Sequence, residues 1–264
     1  DNWEEMHGDI EFQDVNFFYK EGEPILKDFN LKVKKGDNIA LVGETGSGKS
    51  TIVNLLCRFY EPNNGKILID GVDYKERSQS WLHSNLGYVL QSPHLFSGTI
   101  IDNIRYGNNS ISDQEVIASA KLVNAHNFIM KLENGYYTEV GEGGAMLSTG
   151  EKQLISFARA IISKPKLFVL DEATSSIDTE TEALIQDAIH KVLEGRTSFV
   201  VAHRLSTIRN ADKILVIKKG VVVESGTHHE LLSQKGYYYK LYMKQFVEEK
   251  ESEIFGRHYE AVNN

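Results

Sequence analysis

Apolar residues along this chain keep two different rhythms. Near the start, Ile10-Glu11-Phe12-Gln13-Asp14-Val15 and Leu31-Lys32-Val33 alternate apolar with polar, the period of half-buried antiparallel strands. Ile39-Ala40-Leu41-Val42 is unbroken, which suits a strand buried on both faces. Glycines follow. Ser50-Thr51-Ile52-Val53-Asn54-Leu55-Leu56 then reads as a helix, and Ile67-Leu68-Ile69-Asp70-Gly71 as a further strand and turn. From about Pro93 to Ile162 the pattern changes. Ser112-Asp113-Gln114-Glu115 fits a helix N-cap with an acidic first turn, ahead of Val116, Ile117, Ala120 and Val123 at helical spacing. A helical subdomain is expected there. Strand-like runs return at Leu167-Phe168-Val169-Leu170, Ser198-Phe199-Val200-Val201 and Lys213-Ile214-Leu215-Val216-Ile217, separated by helical segments near Glu180 to Leu193 and Ser206 to Arg209. Strands alternating with helices predict an α/β fold with a mainly parallel sheet covered on both faces. Toward the end, Tyr237, Tyr238, Tyr239, Leu241 and Tyr242 form an aromatic cluster on a helix that packs against the domain. The tail from Glu248 onward is charged, lacks clear periodicity and reads as a loose end.

Composition narrows the class. The chain has 264 residues, 41% hydrophobic and 25% charged, enough to bury the core of one or two globular domains. A net charge of −8 argues against a nucleic-acid partner, which a basic surface would serve better. Cys57 is the single cysteine, so an intrachain disulfide and a cysteine metal cluster are both excluded. It sits in an apolar helical run and reads as a small buried hydrophobe. No run approaches the roughly 18–20 apolar residues that cross a bilayer. Asp1-Asn2-Trp3-Glu4-Glu5 lacks the basic and apolar regions of a signal peptide, and the abrupt acidic start suggests a domain cut from a longer chain.

Two motifs carry the chemistry. Gly43-Glu44-Thr45-Gly46-Ser47-Gly48-Lys49-Ser50 has P-loop spacing and the required setting of buried strand before and helix after. Its glycines let the backbone curl until successive N–H groups face phosphate oxygens, and the helix N-terminus adds partial positive charge. Glu44, Thr45, Gly46, Ser47, Gly48, Lys49, Ser50 and Thr51 are the expected nucleotide contacts. Lys49 is placed to reach the β and γ phosphates, and the Ser50 hydroxyl to ligate Mg²⁺. This much says nucleoside triphosphate and no more. Farther along, the apolar run Leu167–Leu170 ends in Asp171-Glu172, which sets two carboxylates at the carboxyl edge of the sheet, where open α/β folds bind ligands. Asp171 suits the Mg²⁺ shell, and Glu172 suits polarising a water that attacks the γ-phosphate.

With these residues in this order, the chain resembles the nucleotide-binding domain of ABC transporters over about residues 8–245. Tyr19 in Phe17-Phe18-Tyr19 matches the aromatic that stacks on adenine, and Gln91 the glutamine that links Mg²⁺ and γ-phosphate to the transmembrane partner. Leu147-Ser148-Thr149-Gly150-Glu151 stands at the signature position, and Ser175-Ser176-Ile177-Asp178 matches the loop that touches the opposite site. His203 matches the switch histidine that bonds the γ-phosphate. The resemblance implies a P-loop NTPase core with a mainly parallel sheet, an antiparallel β subdomain and a helical subdomain. The ATP-binding lobe would span 8–91 and 163–245, the helical signature lobe 92–162 and a tail 246–264. It implies ATP and Mg²⁺ as ligands, with Glu172, His203 and Lys49 catalytic and Ser50, Gln91 and Asp171 around the metal. It also implies head-to-tail closure of two domains over two ATP molecules, so that Ser148, Gly150 and Asp178 serve the partner's nucleotide.

Two stretches resemble the exporter branch: Pro93-His94-Leu95-Phe96-Ser97-Gly98-Thr99-Ile100 with Asp102-Asn103-Ile104, and Thr138-Glu139-Val140-Gly141-Glu142, where Gly143 replaces a frequent arginine. That branch implies transmembrane coupling helices as a partner and a place on the cytoplasmic face of a membrane. The signature departs from the family's usual Leu-Ser-Gly-Gly-Gln at Thr149 and Glu151. A Glu151 charge about 4 Å from a phosphate charge would cost roughly 1 to 4 kcal/mol. With Glu172, His203 and the P-loop all matching, the expectation is one half of a heterodimeric exporter with unequal ATP sites; a homodimer that tolerates both replacements is the alternative. A soluble ABC ATPase uncoupled from transport would carry coiled-coil heptads between P-loop and signature, and none are present. A translation-associated relative would carry two such domains in one chain, and a module that never hydrolyses would not need Glu172.

Overall fold

The computed structural model describes residues 3–262 apart from Gly107 and residues 173–176, with side chains described through Phe255. Ser175 and Ser176 therefore lie outside the described residues. The first half of the chain runs β1 (Ile10–Phe17), β2 (Leu26–Val33), β3 (Asn38–Val42), α1 (Lys49–Leu56), β4 (Asn64–Ile69), β5 (Val72–Asp73), α2 (Gln79–Ser84), β6 (Leu86–Val89), α3 (Ile100–Arg105), α4 (Asp113–Leu122) and α5 (His126–Lys131). The second half runs α6 (Thr149–Ile161), β7 (Leu167–Asp171), α7 (Thr179–Leu193), β8 (Thr197–Val201), α8 (Leu205–Arg209), β9 (Lys213–Lys218), β10 (Val221–Gly226), α9 (His228–Gln234) and α10 (Tyr237–Val262).

The strands make two sheets. A six-stranded sheet has the order β10-β9-β3-β8-β7-β6. Its inner pairings are parallel, and β10 alone joins antiparallel at the edge. Parallel strands need both faces covered, and this sheet's side chains divide accordingly. Ala40, Val42, Phe168, Leu170, Val200, Ile214 and Val216 enter one core with the helices α3 to α8 and the start of α10. Ile39, Leu41, Val169, Phe199, Val201, Leu215 and Ile217, the residues between them, enter a second core with α1 and the other sheet. That other sheet is antiparallel, in the order β2-β1-β4-β5.

The alternation in β1 is rephased once. Strict period two would send Asp14 inward with Ile10 and Phe12, but the β1–β2 register shifts between Phe12 and Val15, and Asp14 turns out with φ 47°. Val15 and Phe17 are buried instead. A reciprocal pair holds the bulge: the Asp14 amide donates to Asn30 Oδ1 and the Asn30 amide group donates to Asp14 Oδ1, each at 3.0 Å.

One expectation fails. The tail from Glu248 is not a loose end but continues α10 to Val262. The start of that helix is fixed, because the Glu224 carboxylate accepts from the amides of Tyr237 at 2.8 Å and Tyr238 at 2.7 Å. Once nucleated, a run rich in Glu propagates without an apolar stripe, and Lys250 pairs with Glu253 one turn on at 2.9 Å. Strands β6 and β10 and helix α9 had no clear pattern in the sequence: β6 is four residues long and contains Gly87.

The β9–β10 turn bears on function. Lys219 and Gly220 both have left-handed backbones, φ 50° and 78°. The Gly220 amide donates to the Ser47 carbonyl at 2.8 Å, and a Cβ on Gly220 would lie 1.9 Å from the Ile25 carbonyl oxygen. Gly220→Ala is therefore expected to destabilise the protein by about 2 kcal/mol or more, read as a lower urea midpoint at unchanged slope.

Candidate nucleotide site

Strand β3, in the middle of the parallel sheet, delivers Gly43 to the carboxyl edge. A Cβ there would sit 2.3 Å from the Ile217 carbonyl oxygen, so the chain can leave the strand this close to β9 only as glycine. The loop closes on Gly48, the N-cap of α1, and no side chain caps that helix. The contrast with α4, α6 and α9 matters, since each of those carries a full capping box. The α1 N-terminus thus keeps its amides for an outside anion. Glu44, Thr45, Gly46 and Ser50 are exposed, and Thr51 is buried. The buried Ser47 hydroxyl has no hydrogen-bond partner among the described residues. Lys49 folds back over the loop, its Nζ donating to the Gly43 carbonyl. Burial holds the Lys49 pKa below the usual lysine range, while Asp171 pulls it back up.

Asp171 ends β7. Its pKa is raised by burial, with His203 and Lys49 opposing. His203 follows β8, and its pKa is lowered by burial and by Lys49, against Glu172 and Asp171. Strands β3, β8 and β7 are parallel neighbours, so the residues that follow them share one sheet edge, and the Glu172 carboxylate accepts there from the His203 amide. Gln91 lies just past the end of β6, the strand beside β7, in the register that pairs Val89 with Leu170.

Glu172 is only 1% exposed, and its charge is met from all sides. Oε2 accepts from the backbone amides of His203 at 2.8 Å and Arg204 at 3.0 Å. Oε1 accepts from the Thr207 hydroxyl at 2.7 Å and from Gln186 at 3.4 Å, and faces Arg204 at 3.4 Å. Arg204 in turn binds Glu182 at 2.6 Å. Gln186, Arg204 and Thr207 carried no local signal in the sequence, because they join Glu172 only through the packing of α7 and α8 against the end of β7.

Tyr19 is 48% exposed and stands beside α1, its hydroxyl 3.1 Å from the Thr51 hydroxyl and accepting from Asn54 at 3.1 Å. Phe17 and Tyr60 meet its ring edge-on, with centroids 4.7 and 4.9 Å away. Tyr60 is a member of this aromatic group that sequence reading missed.

The signature residues and Asp178 sit apart from this cluster, at the starts of α6 and α7. Ser148 caps α6: its Oγ accepts from the Glu151 amide at 3.2 Å, and the Glu151 carboxylate accepts from the Ser148 amide at 2.9 Å. Gly150 is buried against α7, where a Cβ would meet Thr181 Cγ2 at 2.3 Å. Asp178 caps α7 by accepting from the Thr181 amide at 2.9 Å, and that bond lowers its pKa.

The lowered pKa of His203 has a signed consequence. Below the ordinary value of 6.5 the unfolded chain binds a proton that the folded chain resists, so stability falls as pH drops through that region toward the folded value. His228, also lowered by burial, acts in the same direction. Melting temperatures between about pH 7.5 and 5.5 should therefore fall less steeply in His203→Gln than in the unaltered protein.

A family profile described as ABC transporter matches residues 26–175. The chain is 54% identical over 239 residues to an uncharacterized ABC transporter ATP-binding protein of Bacillus subtilis, YfiC, covering 90% of this chain and 40% of that protein. It is 47% identical over 248 residues to an ATP-dependent lipid A-core flippase of Syntrophus aciditrophicus, covering 94% of this chain and 41% of the flippase. The solved structure of a bacterial Atm1-family ABC exporter with ATP bound superimposes with a TM-score of 0.84 at 43% identity, over 90% of this chain and 42% of the exporter chain. The chain thus spans about two fifths of the length of these relatives. Among the described residues no helix is long and apolar enough to cross a membrane. With a family match over more than half of its length, and a glycine-rich loop after β3, carboxylates at the end of β7 and a histidine after β8 at one sheet edge, the chain belongs to the ABC transporter family, as an ATP-binding domain similar to those of exporters.

Proposed function

We propose that this domain binds ATP with Mg²⁺ and hydrolyses it to drive export across a membrane, by head-to-tail closure with a second ATP-binding domain. The observation that carries the reading is the uncapped start of α1 at the same sheet edge as Asp171, Glu172 and His203, which end or follow the strands parallel to β3. The loop amides and Lys49 cradle the phosphates, and Tyr19 offers an exposed ring for the base.

The metal fits the residues present. No group of three His, Cys, Asp or Glu gathers among the described residues, so a cation would draw on phosphate oxygens as well as Ser50, Asp171 and Gln91. Bound there, Mg²⁺ supplies charge neutralisation for the β–γ bridge. Glu172 orients or deprotonates the attacking water, and His203 holds the γ-phosphate in register. With both carboxylate oxygens already engaged, Glu172 must release a donor to accept that water. Arg204 and Gln186, each at 3.4 Å, are the weakest held.

Two further features shape the assembly. A groove of about 470 Å³ beside Gln91 is lined by Tyr88, Leu90, His94, Phe96 and Tyr106, with Phe96 and Tyr106 exposed. We assign this groove to the coupling helices of a transmembrane region, a reading that goes with a place on the cytoplasmic face. At α6, the Glu151 carboxylate already occupies the helix N-terminus, which in a closed dimer would face the partner's γ-phosphate. That supports a heterodimer in which this chain's own Glu172 and His203 complete the active site, while its signature completes a slower one.

Glu172→Gln is expected to bind Mg-ATP with turnover reduced by about 10² or more. Unchanged turnover would sink the assigned role. In that background, sedimentation with Mg-ATP should find the domain alone largely monomeric. Restoring the usual signature with Thr149→Gly and Glu151→Gln should shift it toward dimer. A dimer of equal strength without those changes would favour the homodimer.

A further inference from the structure

The peptide that carries His203 is held from two directions. On one side its amide and that of Arg204 donate to Glu172. On the other side lies α10. Gln245 Nε2 donates to the His203 carbonyl, and the Leu205 amide donates to Glu249 Oε1 at 3.3 Å. Gln245 also donates to Glu249 at 3.3 Å, which fixes the two side chains relative to each other. Neither residue is among those assigned to the nucleotide, the metal or the attacking water.

The contact is built into the helix. Tyr238, Tyr242, Gln245 and Glu249 recur at intervals of four, three and four, so they share one face. Tyr238 and Tyr242 are buried in the core, and the Arg209 guanidinium at the end of α8 donates to the Tyr242 hydroxyl at 2.9 Å. The apolar half of the stripe anchors α10, and its polar half reaches the turn between β8 and α8. Ordinary packing of a terminal helix would need only the tyrosines. A carboxamide that donates to the His203–Arg204 peptide and a carboxylate that accepts from the Arg204–Leu205 peptide instead fix the plane of the backbone from which the His203 side chain departs.

We propose that Gln245 and Glu249 are positioning residues for His203: the C-terminal helix sets the orientation of the switch histidine, and turnover depends on that contact. This rests on the assignment of His203 to the γ-phosphate. The test is steady-state ATP hydrolysis by the full protein in its assembled form. Gln245→Ala/Glu249→Ala is expected to lower kcat about tenfold with KM for ATP changed less than about twofold, because the phosphate loop is untouched. Glu249→Gln keeps an acceptor for the Leu205 amide and should stay near the unaltered rate, whereas Glu249→Ala should not. Combined with His203→Ala, the double substitution should add almost nothing, since the group it positions is gone. Hydrogen exchange at the Leu205 amide should quicken in Glu249→Ala, which reads the contact even where assembly is impaired. Unchanged kcat in the double variant overturns the proposal, as do losses that multiply with that of His203→Ala. His203→Ala with undiminished turnover would overturn the histidine's own assignment first, and the two failures are told apart by that single variant.

Discussion

A carboxylate that is almost wholly buried must be met by donors, because burying it unpaired costs far more than folding can return. Glu172 imposes this demand at the carboxyl edge of the sheet. Two backbone amides answer it after β8, a hydroxyl answers from α8, and a guanidinium and a carboxamide answer from the turn and from α7. Each of these contacts fixes another element. The amides set where the chain turns after β8, the hydroxyl sets the rotation of α8, and Arg204 ties the turn to α7 through Glu182. Removing one such donor from a buried acceptor typically costs about 1–3 kcal/mol, so the arrangement is fixed far more firmly than a surface loop. The chemistry inherits that rigidity: the histidine sits where it does because its own amide is part of the solution to a burial problem.

The antiparallel sheet and the parallel sheet divide the work. The five parallel strands of the larger sheet, covered on both faces, all end on one edge. The antiparallel sheet shares a core with α1 and presents Tyr19 beside that helix. The proposed nucleotide site lies where the two meet, with phosphate groups assigned to one and the base to the other.

What could be read from the sequence followed from locality. The continuous runs of β3, β7, β8 and β9 announce a buried parallel sheet, and the glycine spacing of residues 43–48 with Lys49 announces a phosphate loop, because both signals sit within a few consecutive residues. The acid pair Asp171-Glu172 was visible as a strand end. Its partners Gln186, Arg204 and Thr207 were not, because contacts across the fold leave no mark in spacing. The bulge at Asp14 was hidden, since a period-two reading cannot foresee a change of phase that Asn30 stabilises from the neighbouring strand. The tail was misread for a related reason. The stripe from Tyr238 to Glu249 turns from aromatic to polar midway, so a hydrophobic pattern loses it where the helix begins to serve the β8–α8 turn.

The β9–β10 hairpin ties two of these features into one frame. At its tip the Gly220 amide grips the Ser47 carbonyl of the phosphate loop, and along its second strand Glu224 seats the first turn of α10. In mechanical terms the hairpin is a short strut with the phosphate loop bolted to one end and the C-terminal helix hinged near the other. A load on α10 would then reach both the phosphate loop, through the hairpin, and the β8–α8 turn, which the helix meets directly.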